Sequence, residues 1–453
     1  MSEAERRLEI FERAPVPKAI CTQIIPAIAS QMIALIYNLA DTYFVGMLNE
    51  PNQTAAVTVV STGFVFLTAI SNLFGVGGAS MVARYLGEKK PEKAQQVSSV
   101  AFWGGMVSAL VFAVLYFLFA EPILRLCGAT ESTYALAYEY AKWTVVIGSP
   151  ATILNMLLAN LVRAQGGAVA ASVGVSMGGI INTILDPFFV LPAFLGYGAA
   201  GAGMATAISN YIGLTYFLVY LFRNRQTTLV KLSVGNLRYT KEYLGGILAI
   251  GFPSAVQNAL TMVALTAQMN FVSGYETEAV AALGIVKKLD QLPIFFAVGT
   301  ASGMLPLLAY NHAAGNHKRR QDLFKFGSSI AVGFAVLCLV CYEIAAPTLV
   351  GLFMDDPLTR EYGARFLRIM VTAMPLMAVC YPMIVQFQAL GRAKESLICS
   401  ILRKGALDIP LLFVLDRLLP LYGCMLVQPI VDSIALIVVF VFYKRVNRLV
   451  LQK

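Results

Sequence analysis

Long apolar runs, each sufficient to cross a bilayer as a helix of about 20 residues, recur along the whole chain between short polar connections. Their edges predict twelve spans, at roughly 19–47, 55–83, 96–120, 134–160, 168–191, 199–221, 243–273, 279–308, 324–346, 363–389, 395–415 and 424–443. The alternation of a barrel strand is missing, and lipid cannot satisfy exposed backbone groups, so every span is expected to be α-helical. Several runs exceed the thickness of a bilayer, which predicts tilt or extension into water.

The pattern repeats. Pro26 has a counterpart in Pro253, Pro150 in Pro375, Pro187 in Pro410, and Tyr197-Gly198 in Tyr422-Gly423, at offsets of 223 to 227 residues. The expected fold is an all-α polytopic membrane protein, with twelve transmembrane helices in two pseudo-two-fold-related six-helix bundles. Residues 1–222 form the first lobe, 223–242 a basic cytoplasmic linker and 243–453 the second lobe. Six spans per repeat give both repeats one orientation. Membrane proteins built this way are mostly transporters, with the site near the midplane.

Composition agrees. Of 453 residues, 58% are hydrophobic and 13% charged, against about a quarter charged in soluble domains. The net charge of +9 suggests nucleic acid until it is mapped. Lys and Arg crowd alternate connections, such as Arg84 to Lys93, Arg223 to Lys241, Lys318 to Arg320 and Arg392 to Lys394, while the opposite connections hold only Arg125, Arg360 and Arg417. That asymmetry places both termini in the cytoplasm and argues against a nucleic-acid partner. No cleavable signal is visible before the first span. The seven cysteines show no disulfide framework, and Cys338 and Cys341 read as packing thiols.

The first run, from Pro26 to Gly46, carries Asp41. An acid deep in a span costs about 2.5–3.5 kcal/mol on insertion scales, so it is rarely there without a use. Asn38 and Tyr37 precede it by three and four residues on the same face. Pro26 deprives the Thr22 carbonyl of its donor and can bend the helix. The stretch reads as a moving part that binds a cation; a fixed packing ion pair is the plainer alternative. Asp186 follows Asn182 by one turn and precedes Pro187, although a wet helix end would also suit it. Facing one cavity, two such acids can take up and release a proton near neutral pH.

The second half is equipped differently. Gln268 stands where Asp41 would recur. Lys287 and Asp290, and Lys404 and Asp408, are spaced for structural same-face ion pairs, with Arg403 and Asp432 nearby. Methionines number 17 and aromatics make up 11%, a supply that suits a cavity for apolar cations, or ordinary packing. His312 and His317 read as solvated loop residues.

The motifs YNLADTYFVG (to Gly46), NLVRAQG (Asn160 to Gly166), NTILDP (Asn182 to Pro187), RKGALDIPLLF (Arg403 to Phe413) and QPIVD (Gln428 to Asp432), in this order on a six-span repeat, resemble the multidrug and toxic compound extrusion (MATE) family over nearly the whole length. The resemblance implies an inner-membrane, monomeric antiporter, not an enzyme, that expels amphipathic organic cations against protons or sodium and needs no cofactor. Carried over by motif, the cation site is Asp41, Asn182 and Asp186, which could ligate sodium, with Asn160 close by and Thr206 as a looser match. Tyr37, Asn38 and Gln268 extend the polar cluster, and Pro26 is the hinge. One branch of the family has an acid eight residues after the proline of its seventh helix. Thr261 stands there in this chain, which points to the DinF-like branch, coupled through the first half.

A flippase for lipid-linked precursors is the alternative within the same superfamily, but arginines lining the first-half spans are missing. A membrane enzyme would need a zinc motif or nucleophile elbow at membrane depth, and a channel a filter-like loop; neither is found.

Overall fold

Helices dominate because each apolar run must close its own backbone hydrogen bonds in lipid. The computed structural model describes residues 3–48, 50–354 and 356–451, and among these there is no strand. Nine helices among the described residues are long and apolar enough to cross a membrane, and two bent pairs raise the number to eleven. They account for every expected span except the eleventh. The single helices are Val16–Gly46, Pro51–Gly87, Pro91–Leu118, Ala168–Val190, Gly198–Arg223, Thr240–Val272, Thr277–Ala313, His317–Gly351 and Tyr422–Leu451. The protein is a multi-pass membrane protein.

The fourth and tenth spans are the bent pairs, at 45° and 43°. In the fourth, the Gly148 N–H reaches back five residues to the Trp143 carbonyl at 2.9 Å, and Pro150 falls in the first turn of the next helix. Pro375 holds the matching place in the tenth. A proline in a first turn loses no hydrogen bond, so each bend is set where the sequence repeat puts a proline.

The eleventh span is broken. Helix Ala393–Ile401 passes through a wide turn into Asp408–Leu418, and Lys404 and Gly405 leave helical conformation, with φ of −135° and +117°. A β-carbon is strained at the second value, which glycine tolerates. Its counterpart, the fifth span Ala168–Val190, runs on through Pro187. The break undoes the expected Lys404–Asp408 pair, and the expected Lys287–Asp290 pair, on the unbroken eighth span, is not formed either. Neither Lys287–Asp290 nor Lys404–Asp408 is an ion pair. Arg403 Nε instead bonds Asp432 Oδ1 at 2.9 Å, both side chains being 1% exposed. The Gly405 N–H donates to Asp408 Oδ2 at 2.9 Å.

Residues 224–239 are tied down rather than free. Ser99 Oγ donates to the Lys231 carbonyl at 2.8 Å, and Trp103 Nε1 to the Leu232 carbonyl at 3.2 Å, both from the third span.

One hydrophobic core joins the two halves at the end where Lys and Arg crowd the connections. It includes Ile20, Ile24, Phe74, Leu161, Ile247, Met304, Leu308 and Phe387. Toward the other end the halves have separate cores, around Val45, Val60 and Tyr140 in the first and Val272, Leu283 and Phe366 in the second. The joined end is a seam of bare backbone. A Cβ on Gly77 would collide with the Ile247 carbonyl, and one on Gly251 with the Leu73 carbonyl. Gly299 and Gly303 of the eighth span press likewise on Ile28 and Gln23 of the first. Small residues let helices close to this distance without lipid between them. The halves therefore meet at the basic face and part toward the opposite one.

Candidate functional site

The first span lies against the fifth. A Cβ on Gly179 would stand 2.8 Å from a ring carbon of Tyr37 and 3.2 Å from Ile33. This contact sets Asp41, one turn beyond Tyr37, beside the acid of the fifth span, and Asp41 and Asp186 lie within electrostatic reach of each other. Asp186 is fully buried and Asn182 nearly so. Asn182 Nδ2 donates to Asp186 Oδ1 at 3.1 Å and to Thr206 Oγ1 of the sixth span at 3.4 Å. The looser match at Thr206 thus joins the cluster.

On Asp41, Asn182 and Asp186, three acceptor oxygens remain buried with no partner: Asp41 Oδ1, Asp186 Oδ2 and Asn182 Oδ1. Buried polar atoms normally find a partner. Three unsatisfied oxygens on three residues are a donor set for a proton or a hard cation, which prefers oxygen ligands. Their oxygen chemistry is of the kind that the cation site implied by the family resemblance would use. No group of three His, Cys, Asp or Glu suited to a transition metal is found among the described residues.

Other expected members fall elsewhere. Asn160 accepts from Arg163 Nη1 at 3.1 Å and lies against Gly75 of the second span, outside the hydrogen-bonded cluster. Asn38 is exposed and donates to the Ala34 carbonyl of its own helix. Gln268 is buried in the second half, where its Nε2 ties the seventh span to the Cys424 carbonyl at 2.8 Å. Pro26 lies within a continuous helix, between the contacts of Gln23 and Ile28 with the eighth span.

Three residues went unforeseen. Tyr140 of the fourth span is buried within the fields of Asp41 and Asp186. Asn155 Nδ2 meets Asn210 Oδ1 at 3.4 Å, and Asn210 Nδ2 donates to the Thr206 carbonyl at 2.9 Å, which carries the polar ladder into the lobe. A signal was available for Asn155: an amide inside the apolar run ILNMLLANLV.

The sequence profile of the MatE family matches residues 26–188 and again 253–414. The first match opens on Pro26 and the second on Pro253, the pair that opens the internal repeat. Multidrug export protein MepA of Staphylococcus saprophyticus is 28% identical over 450 residues, covering 99% of this chain and 98% of that one. Multidrug export protein MepA of Staphylococcus aureus strain MSSA476 is 30% identical over 447 residues, covering 98% and 97%. A solved structure described as the outward-facing conformation of a multidrug resistance MATE family transporter of the MOP superfamily shares the fold. Its TM-score is 0.92 at 23% identity, over 99% of both chains.

Proposed function

The chain belongs to the MatE family, a family of transporters rather than enzymes, and we propose that it is a secondary multidrug exporter that expels amphipathic, mostly cationic compounds in exchange for protons or sodium. Its relatives of similar length are named multidrug export proteins. The observation that carries the coupling half of this reading is the trio of unpartnered oxygens on Asp41, Asn182 and Asp186.

A bound proton or cation satisfies those oxygens and removes the repulsion between the two carboxylates. The same event can bias the first helix, because the Thr22 carbonyl has no donor at Pro26 and straight and bent forms lie close in energy. That helix crosses the seam against Gly299 and Gly303, so a change in its bend reaches the contact that keeps the basic face shut. Export follows if drug and coupling ion favour opposite states of the seam. Coupling through the first half, as in the DinF-like branch, leaves Gln268 and the Arg403–Asp432 pair with structural work. We place the protein, as a monomer, in the plasma membrane with both termini cytoplasmic, on the positive-inside rule.

The deciding experiment is ethidium efflux from proteoliposomes with sodium and pH gradients imposed separately. Efflux driven by either gradient supports the reading and names the ion. Efflux that ignores both gradients refutes it.

A further inference from the structure

At the joined end of the seam, basic side chains gather. Arg84 lies near the end of the second span, His312 near the end of the eighth, His317 and Arg320 open the ninth, and Arg392 precedes Ala393. These side chains converge. His312 lies in the fields of Arg320, Arg84, His317 and Arg392. The His312 and His317 rings are 6.0 Å apart. The Arg84 guanidinium lies so close to Gly391 that a Cβ there would stand 2.5 Å from its Nη1. Both histidines were expected to be solvated; they are half-buried instead, because the helices on either side extend to the edge of the short turn between them.

Arg320 is fully buried. Its Nη2 donates to Asn447 Oδ1 at 2.9 Å, while Nε and Nη1 are buried with no acceptor. Arg84 Nε, His312 Nδ1 and His317 Nδ1 are buried without partners as well. None of the five residues enters an ion pair among the described residues. Arginine stays charged inside a protein, and a buried charge without a counter-charge is strongly destabilising. The chemistry that completes such a group is an anion with several oxygens, because the guanidinium fork matches phosphate with two parallel bonds and imidazole adds a further donor.

We infer that Arg84, His312, His317, Arg320 and Arg392 form a binding site for a phosphate-type oxyanion, which clamps the first half of the chain to the second at the closed face of the seam. Arg84 belongs to the first half and the other four to the second. Parting of the lobes would break the site, so a bound oxyanion favours the closed seam. The oxyanion comes from an anionic lipid headgroup in the adjacent leaflet or from free phosphate; the recognising chemistry is shared.

The test uses the full chain in nanodiscs and reads thermal unfolding. Phosphatidylcholine discs receive inorganic phosphate, with chloride at matched ionic strength as control; a second set contains phosphatidylglycerol. A saturable rise in Tm with phosphate in phosphatidylcholine discs identifies the free ion, and a rise only with phosphatidylglycerol identifies the headgroup. In His312→Gln and Arg392→Gln, at half-buried positions that can lose the side chain without opening the core, the protecting anion should bind about tenfold more weakly. Arg320→Gln should lose the response altogether. No Tm shift with either anion, or shifts in His312→Gln and Arg392→Gln equal to that of the unaltered protein, would overturn the inference.

Discussion

Asn182 holds one oxygen of Asp186 and leaves the other free: its Nδ2 donates to Oδ1 at 3.1 Å while Oδ2 stays buried and unpartnered. The carboxylate is thereby oriented without being neutralised.

Asp41→Asn and Asp186→Asn keep the shape of the site but replace one carboxylate oxygen by an N–H donor. Each is expected to fold normally and to lower ion-driven efflux by at least about tenfold, a change that needs only about 1.4 kcal/mol at the coupling step. Asn182→Ala should weaken the ion response less, since it frees Asp186 to turn without removing charge. The checks are gradient-driven efflux together with a melting curve. Wild-type efflux from a well-expressed Asp41→Asn protein would count against the site.

Asp432→Ala leaves the Arg403 guanidinium, which also faces the Tyr381 ring at 4.2 Å, buried without its partner. Removing one member of such a pair costs about 3–5 kcal/mol. Asp408→Ala deletes a carboxylate acceptor from the Gly405 N–H and should cost less, about 1.5–3 kcal/mol. Thermal unfolding in detergent measures both. In Asp408→Asn, export that persists without dependence on the ion gradient would move coupling into the second half.

Pro26→Ala gives the Thr22 carbonyl a donor and stiffens the first helix where it crosses the eighth. It should bind drug and transport it poorly, with a smaller effect of pH or sodium on affinity than in the unaltered protein. Drug affinity measured across pH and sodium concentration in the two proteins decides the matter. Identical responses would reduce Pro26 to packing.

Gly251→Leu sets a side chain into the Leu73 carbonyl and should wedge the seam open. Ser80, buried and donating to the Gln388 carbonyl of the other half at 2.7 Å, marks the place to look. A cysteine introduced there by Ser80→Cys should react faster with a polar maleimide once Gly251→Leu is added. An unchanged rate would mean that the lobes absorb the wedge without parting.

The spans and the internal repeat were legible because lipid imposes length and apolarity on every crossing, and prolines fix the bends. Asp41, Asn182 and Asp186 were legible because acids and amides are conspicuous in apolar runs. The pairing of Lys404 with Asp408 was misread because four-residue spacing assumes an intact helix, and the chain unwinds between them at Lys404 and Gly405. Asn160 was drawn aside by Arg163, three residues along its own helix. Tyr140, Asn155 and Asn210 join the polar ladder through contacts between different spans, which no local spacing encodes.

The seam places hard limits on what can change in this molecule. Where Gly77 meets the Ile247 carbonyl and Gly251 meets that of Leu73, no side chains stand between the helices to be exchanged one for another. Elsewhere on the first helix, large side chains such as Leu39 and Tyr43 are exposed and can be exchanged without a backbone clash. Substitution at such exposed positions can therefore accumulate while the joint between the halves stays fixed, a division between a surface free to drift and a contact that is not.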